Sequence, residues 1–377
     1  MNTEKRPPRV LVVDDDAGVL RAVARVLGKR HRIITAETGT EALEAAARER
    51  PDVAIIDVRL PDICGFDVTR ALKRSLKDVD AILMTGNAED PDDNLVRAID
   101  EGAFFFIQKP FDRRVLLALV DRCFELRRLR GEREEYLNRV RRELEHARLF
   151  QESMLPPPRF QAAGTAIAAF NRACHELTGD FYDYLETGEG NVALLIADVV
   201  GHGVSAALMT GLIKAAFRSA QAEGFEPRSV IDRVRDGLRG FDGSRFVTLC
   251  CGRFDPRAGV LEYVNAGHPA PLARIAGAGS VQLKETGPLM SSAMSHLPFA
   301  TQTLRLATGD AVLFYTDGVV DARGPTGFYG PERLGALFSS GASRGPDLID
   351  RIVADVAQFS AGTPSLDDFT MLVLERT

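Results

Sequence analysis

Long apolar runs are missing from this chain of 377 residues. No stretch approaches a bilayer span, and Met1 to Arg9 is polar with no apolar signal segment, so neither a membrane helix nor export is expected. An excess of positive charge is missing too. A net charge of -6 and no compact basic helix-turn-helix unit give no electrostatic reason to expect nucleic acid. Cysteine is scarce: Cys64, Cys123, Cys174, Cys250 and Cys251 are odd in number and show no C-x-x-C spacing. Buried, reduced thiols in a cytoplasmic protein are the reading, with the neighbours Cys250 and Cys251 on opposite faces of a strand. Repeats and low-complexity tracts are absent apart from a Gly/Ala patch at Ala276 to Gly279.

What is present exceeds one core. The length calls for two domains and a connector. Apolar runs at Val10–Val13, Ile33-Ile34, Val53–Ile56, Ala81–Met84 and Phe104–Ile107 alternate with helical patterns at Val19–Val26, Thr40–Arg48, Phe66–Arg74 and Asn94–Glu101. That alternation predicts an α/β doubly wound domain over residues 8–122, with a parallel five-stranded sheet and ligands at the carboxyl ends of its strands. From Leu116 to Met154 there is no proline and a single glycine, with dense Arg and Glu. Leu137, Val140, Leu144, Ala147, Gln151 and Met154 fall at three- and four-residue spacing, the seam of a short coiled coil. A helical linker is therefore expected over 123–155, with homodimerisation through it, and Pro156-Pro157-Pro158 ends it.

Residues 156–377 read differently. Strand-like runs at Val192–Val200, Phe246–Phe254, Gly259–Asn265, Ala311–Thr316 and Phe369–Glu375 come in groups, with a hairpin turn at Asp255–Gly259. Helical patterns at Ser205–Gln221, Arg228–Leu238 and Asp347–Phe359 separate the groups. An α+β layered sandwich of two antiparallel sheets flanked by helices follows.

Acidic residues gather where strands end. In the first domain Asp14 and Asp15 follow the first strand, Asp57 the third, Thr85 the fourth and Lys109 the fifth, so all five converge on one sheet edge. Carboxylates there suit Mg²⁺, and a lysine beside the ion would neutralise an incoming phosphoryl group. Val-Val-Asp-Asp-Asp (12–16), Ile-Asp-Val-Arg-Leu-Pro-Asp (56–62), Met-Thr-Gly (84–86) and Lys-Pro-Phe (109–111) resemble the receiver domain of two-component response regulators. The resemblance implies a phosphoryl group accepted by Asp57 from a sensor histidine kinase or phosphotransfer protein. It implies Mg²⁺ held by Asp14, Asp15, Asp57 and the Arg59 carbonyl, phosphate contacts from Thr85 and Lys109, and Phe106 as the switching aromatic. Cys64 and Arg70 share the C-x5-R spacing of cysteine phosphatases, but the intervening residues form no phosphate cradle and the match is chance.

In the second half Asp180, Asp198, Asp317 and Asp367 lie in apolar or glycine-bearing contexts. Such carboxylates are costly to bury unless they meet around hard cations, and two ions would activate water for attack at phosphorus. His202 and His268 are catalytic or merely well-bonded loop histidines, the second being favoured. Gln151–Pro156, Gly179–Asp183, Asp198–Gly203, Ala266–Pro269, Thr316–Gly318 and Asp367–Thr370 together resemble PPM (PP2C-like) serine/threonine phosphatases of the bacterial sporulation and stress-response branch. By that resemblance Asp180, Asp198, Asp317, Asp367 and the Val199 carbonyl hold two Mn²⁺ or Mg²⁺. The enzyme would hydrolyse phosphoserine or phosphothreonine on a partner, an anti-sigma-factor antagonist, under control of Asp57. Thr178 departs from the glycine or serine usual at its place, and Leu289–Ser292 lacks the family's Leu-Gly step. Neither departure removes a ligand. The rival reading is a receiver-regulated scaffold that binds phosphoproteins without hydrolysing them.

Overall fold

The computed structural model describes residues 6–76, 78–86, 103–162, 164–241, 245–276, 279–294, 296–325, 327–341, 344–363 and 367–377, except for the side chain at 189. The helix expected at Asn94–Glu101 lies outside them. The chain divides into two compact units, Met1–Arg139 and Val140–Thr377.

In the first unit β1 (Arg9–Val13), β2 (Arg32–Ala36), β3 (Val53–Asp57), β4 (Asp80–Thr85) and β5 (Phe105–Gln108) form one parallel sheet in the order β2-β1-β3-β4-β5. The continuous apolar runs have a simple cause: both sheet faces are covered. Val10, Val12, Ile55 and Ile82 meet Leu20, Val23, Leu116 and Val120 on one side, while Leu11, Val13, Ile56 and Leu83 meet Ala42, Phe66, Val68 and Leu72 on the other. Asp16 caps the helix Ala17–Leu27 by accepting from the Gly18 amide, and Thr38 caps Gly39–Glu49 by accepting from Glu41. No described helix is long and apolar enough to cross a membrane.

The expected linker is one helix, Arg113–Met154. Its seam is not uniform. Leu137 and Val140 are exposed, whereas Gln151 is buried and Met154 packs against the core of the second unit. The unit boundary after Arg139 thus falls inside the expected linker, because the helix's last turns are spent on packing that a spacing pattern does not reveal.

The second unit has two antiparallel sheets. One contains β8 (Asp180–Glu186), β9 (Val192–Val199), β10 (Phe246–Asp255), β11 (Val260–Ala266) and β15 (Gln302–Arg305), with β14 (Met290–Ser291) beside β10. The other runs through β6 (Arg159–Ala162), β7 (Thr165–Arg172), β19 (Phe369–Arg376), β16 (Ala311–Tyr315), β12 (Leu272–Ile275) and β13 (Gly279–Gln282). Strand alternation sorts their side chains into layers. Tyr182, Leu194, Ile196, Cys250, Phe314 and Leu372 pack between the sheets. Phe181, Leu195, Val199 and Cys251 face the helices Val204–Ser219 and Pro227–Leu238. Leu313, Tyr315 and Met371 face Pro331–Ser339 and Gly345–Ser360 on the far side. Cys250 and Cys251 do point to opposite faces, and all five cysteines are free.

One charge is enclosed on the helix side. Asp183 on β8 is buried and accepts from Arg218 Nε at 2.8 Å and Nη2 at 2.7 Å, and from Lys214 Nζ at 3.1 Å. Lys214 also donates to the Met154 carbonyl at 2.6 Å, tying the end of the linker helix to the same cluster. Removing one member of a buried ion pair strands the others. Asp183→Ala should lower unfolding free energy by about 3–5 kcal/mol in urea titrations, and a change below about 1 kcal/mol would show that this cluster is a solvated surface pair instead.

Candidate metal centres

In the first unit, carboxylate oxygens of Asp14, Asp15 and Asp57 lie within 4.8 Å of one another. They stand at adjacent carboxyl ends because β1 and β3 pair directly, at the point where the strand order reverses. Lys109, just past β5, bonds to Asp14 and lies 3.2 Å from Asp57 Oδ1. Burial pushes the Asp57 carboxyl up, the Lys109 charge opposes this, and Asp14 adds to the rise. Burial alone would lower Lys109, but its bond to Asp14 and the charge of Asp57 win, leaving its pKa raised and the ammonium intact. Thr85 is buried at the end of β4, and its carbonyl accepts from the Lys109 amide at 2.6 Å. Phe106 is partly buried against the core that includes Leu83, and Arg59 is exposed in the loop after β3.

The second centre follows from sheet pairing. Asp180 on β8 sits opposite Asp198 on β9, and Asp198 opposite Thr248 on β10. All three have the parity of Tyr182, Ile196 and Cys250, so they face the space between the sheets at its end. From the other sheet come Thr316 and Asp317 after β16, and Asp367 before β19. Thr316 Oγ1 donates to Asp180 Oδ2 at 2.7 Å across the sheets.

The carboxylates act on one another. Burial is the largest influence on Asp180 and drives it well up, with Asp198 adding to the rise. Asp198 is pushed up to about 7 by burial and then by Asp317, Asp367 and Asp368. Asp317 is raised by burial and by Asp367, and Asp367 by partial desolvation and by Asp368, although it reaches solvent. Crowded carboxylates whose dominant charged neighbours are other carboxylates form a donor set suited to hard cations. Among the described residues no three of the quartet fall within 4.8 Å of one another, a wider spread than at Asp14, Asp15 and Asp57.

Two glycines let backbone replace side chain here. A Cβ on Gly179 would lie 2.6 Å from the Val199 carbonyl oxygen, and one on Gly318 would lie 1.9 Å from the Asp368 oxygen. Residues beyond the expected set hold the loops. Asp368 accepts from the Cys174 and Gly179 amides at 2.9 and 2.8 Å, and Gln151 reaches the Thr178 backbone. The adjacent acid pair 367–368 was a visible signal for Asp368, and Gln151 was marked by the helical seam and by the Gln151–Pro156 motif, neither of which names its partner Thr178.

The histidines separate. His268 is buried, with its amide donating to Asn265 Oδ1 at 2.8 Å and its Nδ1 2.9 Å from Thr248 Oγ1. Its Nε2 is buried without a side-chain hydrogen-bond partner among the described residues. His202 is exposed, its ring 5.0 Å from that of His175.

Comparison with known proteins agrees with this division. A family model described as Stage II sporulation protein E (SpoIIE) matches residues 188–377, and one described as Response regulator receiver domain matches residues 10–121. Protein IcfG of Synechocystis sp. is 29% identical over 265 residues, 63% of this chain and 42% of that protein. Phosphoserine phosphatase RsbP of Bacillus subtilis is 29% identical over 193 residues, 50% of this chain and 47% of its own length. The chain thus spans about half the length of these relatives or less. The solved SiaA-PP2C domain of Pseudomonas aeruginosa shares the fold, with a TM-score of 0.56 at 22% identity, covering 64% of this chain and 98% of that domain. Strand order, acidic strand ends and family models converge: the chain belongs to the SpoIIE family, with a response regulator receiver domain ahead of a PP2C-like domain.

Proposed function

We propose that this chain is a metal-dependent protein serine/threonine phosphatase whose activity is set by phosphorylation of Asp57. The observation that carries the reading is the carboxylate quartet at the end of the inter-sheet layer, with Asp198 pushed up to about 7. Asp180, Asp198, Asp317, Asp367 and the Val199 carbonyl would hold two Mn²⁺ or Mg²⁺ ions. Bound there, the ions would lower the pKa of a shared water and polarise a phosphoryl group. Thr316 donates to one Asp180 oxygen, and Thr370 also bonds to this carboxylate, so its orientation is held from the other sheet. Asp368 fixes Gly179 and so the approach to Val199. Burial holds the His268 pKa down near 3, so its ring is neutral at working pH.

The substrate class is a phosphoserine or phosphothreonine protein. The similarity to phosphoserine phosphatase RsbP supports phosphoserine, and the sequence resemblance supports an anti-sigma-factor antagonist. In the receiver, Asp57 would accept a phosphoryl group from a sensor histidine kinase or phosphotransfer protein, with Mg²⁺ held by Asp14, Asp15, Asp57 and the Arg59 carbonyl. The added charge would draw in Thr85 and Lys109 and reposition Phe106. The helix Arg113–Met154 is the covalent route to the phosphatase unit. Leu129, Tyr136, Leu137 and Val140, exposed on it, would pair two chains. A scaffold without hydrolysis gains no support, since no expected ligand is missing.

Three outcomes test this reading. With Mn²⁺ present, the chain should release phosphate from phosphorylated antagonist proteins, and Asp180→Ala or Asp317→Ala should cut the rate at least about 100-fold; equal rates in both variants would refute it. Light scattering should report a dimer, and a monomer with and without beryllofluoride would remove the pairing role of the helix. The third is pH dependence. The folded pKa of His268, near 3, is below its ordinary 6.5, so the unfolded chain binds the extra proton. Its contribution is present above about pH 6.5 and is lost as pH falls toward 3. In NMR titrations the ring should show no protonation between pH 8 and about 5, and a midpoint near 6.5 would contradict the buried neutral form.

A further inference from the structure

Gln151 stands in the sequence as a position of a helical seam and as the first residue of the Gln151–Pro156 motif, and Thr178 as a departure from a small residue. The structure brings them together. Gln151 is buried, 6% exposed. Its Nε2 donates to the Thr178 carbonyl at 2.7 Å, and its Oε1 accepts from the Thr178 amide at 3.1 Å. The side-chain amide thus satisfies both backbone groups of one residue, as a neighbouring strand would. The same Nε2 donates to Thr210 Oγ1 at 3.1 Å on the helix Val204–Ser219, which follows the Asp198–Gly203 segment. Thr178 then passes the constraint on, because its Oγ1 accepts from the Asp180 amide at 2.9 Å.

We propose that Gln151 and Thr178 are positioning residues for the metal centre: from the end of the linker helix, Gln151 sets the Thr178 backbone, and the Thr178 hydroxyl sets Asp180. The inference rests on the reading of Asp180 as a metal ligand and names how that ligand is held. It gives Thr178 a purpose that glycine could not serve, since glycine has no hydroxyl to bond the Asp180 amide. The relay borders a cavity of about 300 Å³ lined by Arg148, Gln151, Asn171, His175, Thr178 and Asp180. Once its bonds to Gln151 are lost, the loop has room to shift. Groups that orient a metal ligand from behind are worth about 10- to 100-fold in metal affinity.

The test uses the full chain carrying Asp15→Asn, so that the receiver pair does not dominate metal binding. Gln151→Glu keeps the size and one acceptor but loses both donors, Gln151→Leu loses all polar contacts, and Thr178→Ser keeps the hydroxyl. Two readouts apply: Mn²⁺ affinity by calorimetry, and hydrogen exchange of the 175–181 peptide without metal. Gln151→Glu and Gln151→Leu should bind Mn²⁺ about 10- to 100-fold more weakly and exchange faster over that peptide, while Thr178→Ser matches the parent. Folded Gln151 variants with parental Mn²⁺ affinity, whatever their melting temperature, would reduce Gln151 to a packing role and overturn the inference. No Mn²⁺ binding by the parent would overturn it together with the metal reading. If the variants bind Mn²⁺ more weakly while no form hydrolyses p-nitrophenyl phosphate, the relay stands and the phosphatase reading fails.

Discussion

Repulsion among carboxylates enclosed at the end of the inter-sheet layer is the constraint on which the second unit turns. Asp180 and Asp198 sit opposite each other on paired strands, and Asp317 and Asp367 reach the same space from the other sheet. Every route to lower energy neutralises them, by protonation or by cations. In the proposed reading, cations do so. Thr316 and Thr370 hold the Asp180 carboxylate, and glycine at 179 keeps side-chain bulk away from the Val199 carbonyl.

The two units solve the same problem differently. Both set carboxylates at strand ends, where alternation and register bring distant residues together. In the receiver, Lys109 supplies a resident positive charge against Asp14 and Asp57, so the cluster is partly neutralised before any ion binds. At Asp180, Asp198 and Asp317 the dominant charges are negative. A partly neutralised site suits transient phosphoryl transfer, while one open to cations suits a resident metal pair.

The receiver was legible almost throughout, because short continuous apolar runs ending in Asp or Lys carry both the strand and the site. β5 came out one residue later than expected, Phe105–Gln108 rather than Phe104–Ile107, since strand ends are set by hydrogen bonding and not by hydropathy. In the second unit the strongly apolar β9, β10, β16 and β19 were readable. Thr165–Arg172, rich in alanine, and Asp180–Glu186, which carries three acids, were not identified as strands. The four acids were found individually, but their meeting depends on cross-sheet pairing that no local pattern encodes. Gln151 was placed on a helix and marked by a seam and a motif, but its partner Thr178 was not foreseen. A three-four spacing says which residues share a face, not what covers it.

Crystals grown with Mn²⁺ and measured at the manganese edge would show whether the quartet holds a metal pair. Two anomalous peaks roughly 3.5–4 Å apart among Asp180, Asp198, Asp317 and Asp367 are predicted. No peak there, with the carboxylates sharing short proton-mediated contacts instead, would contradict the account.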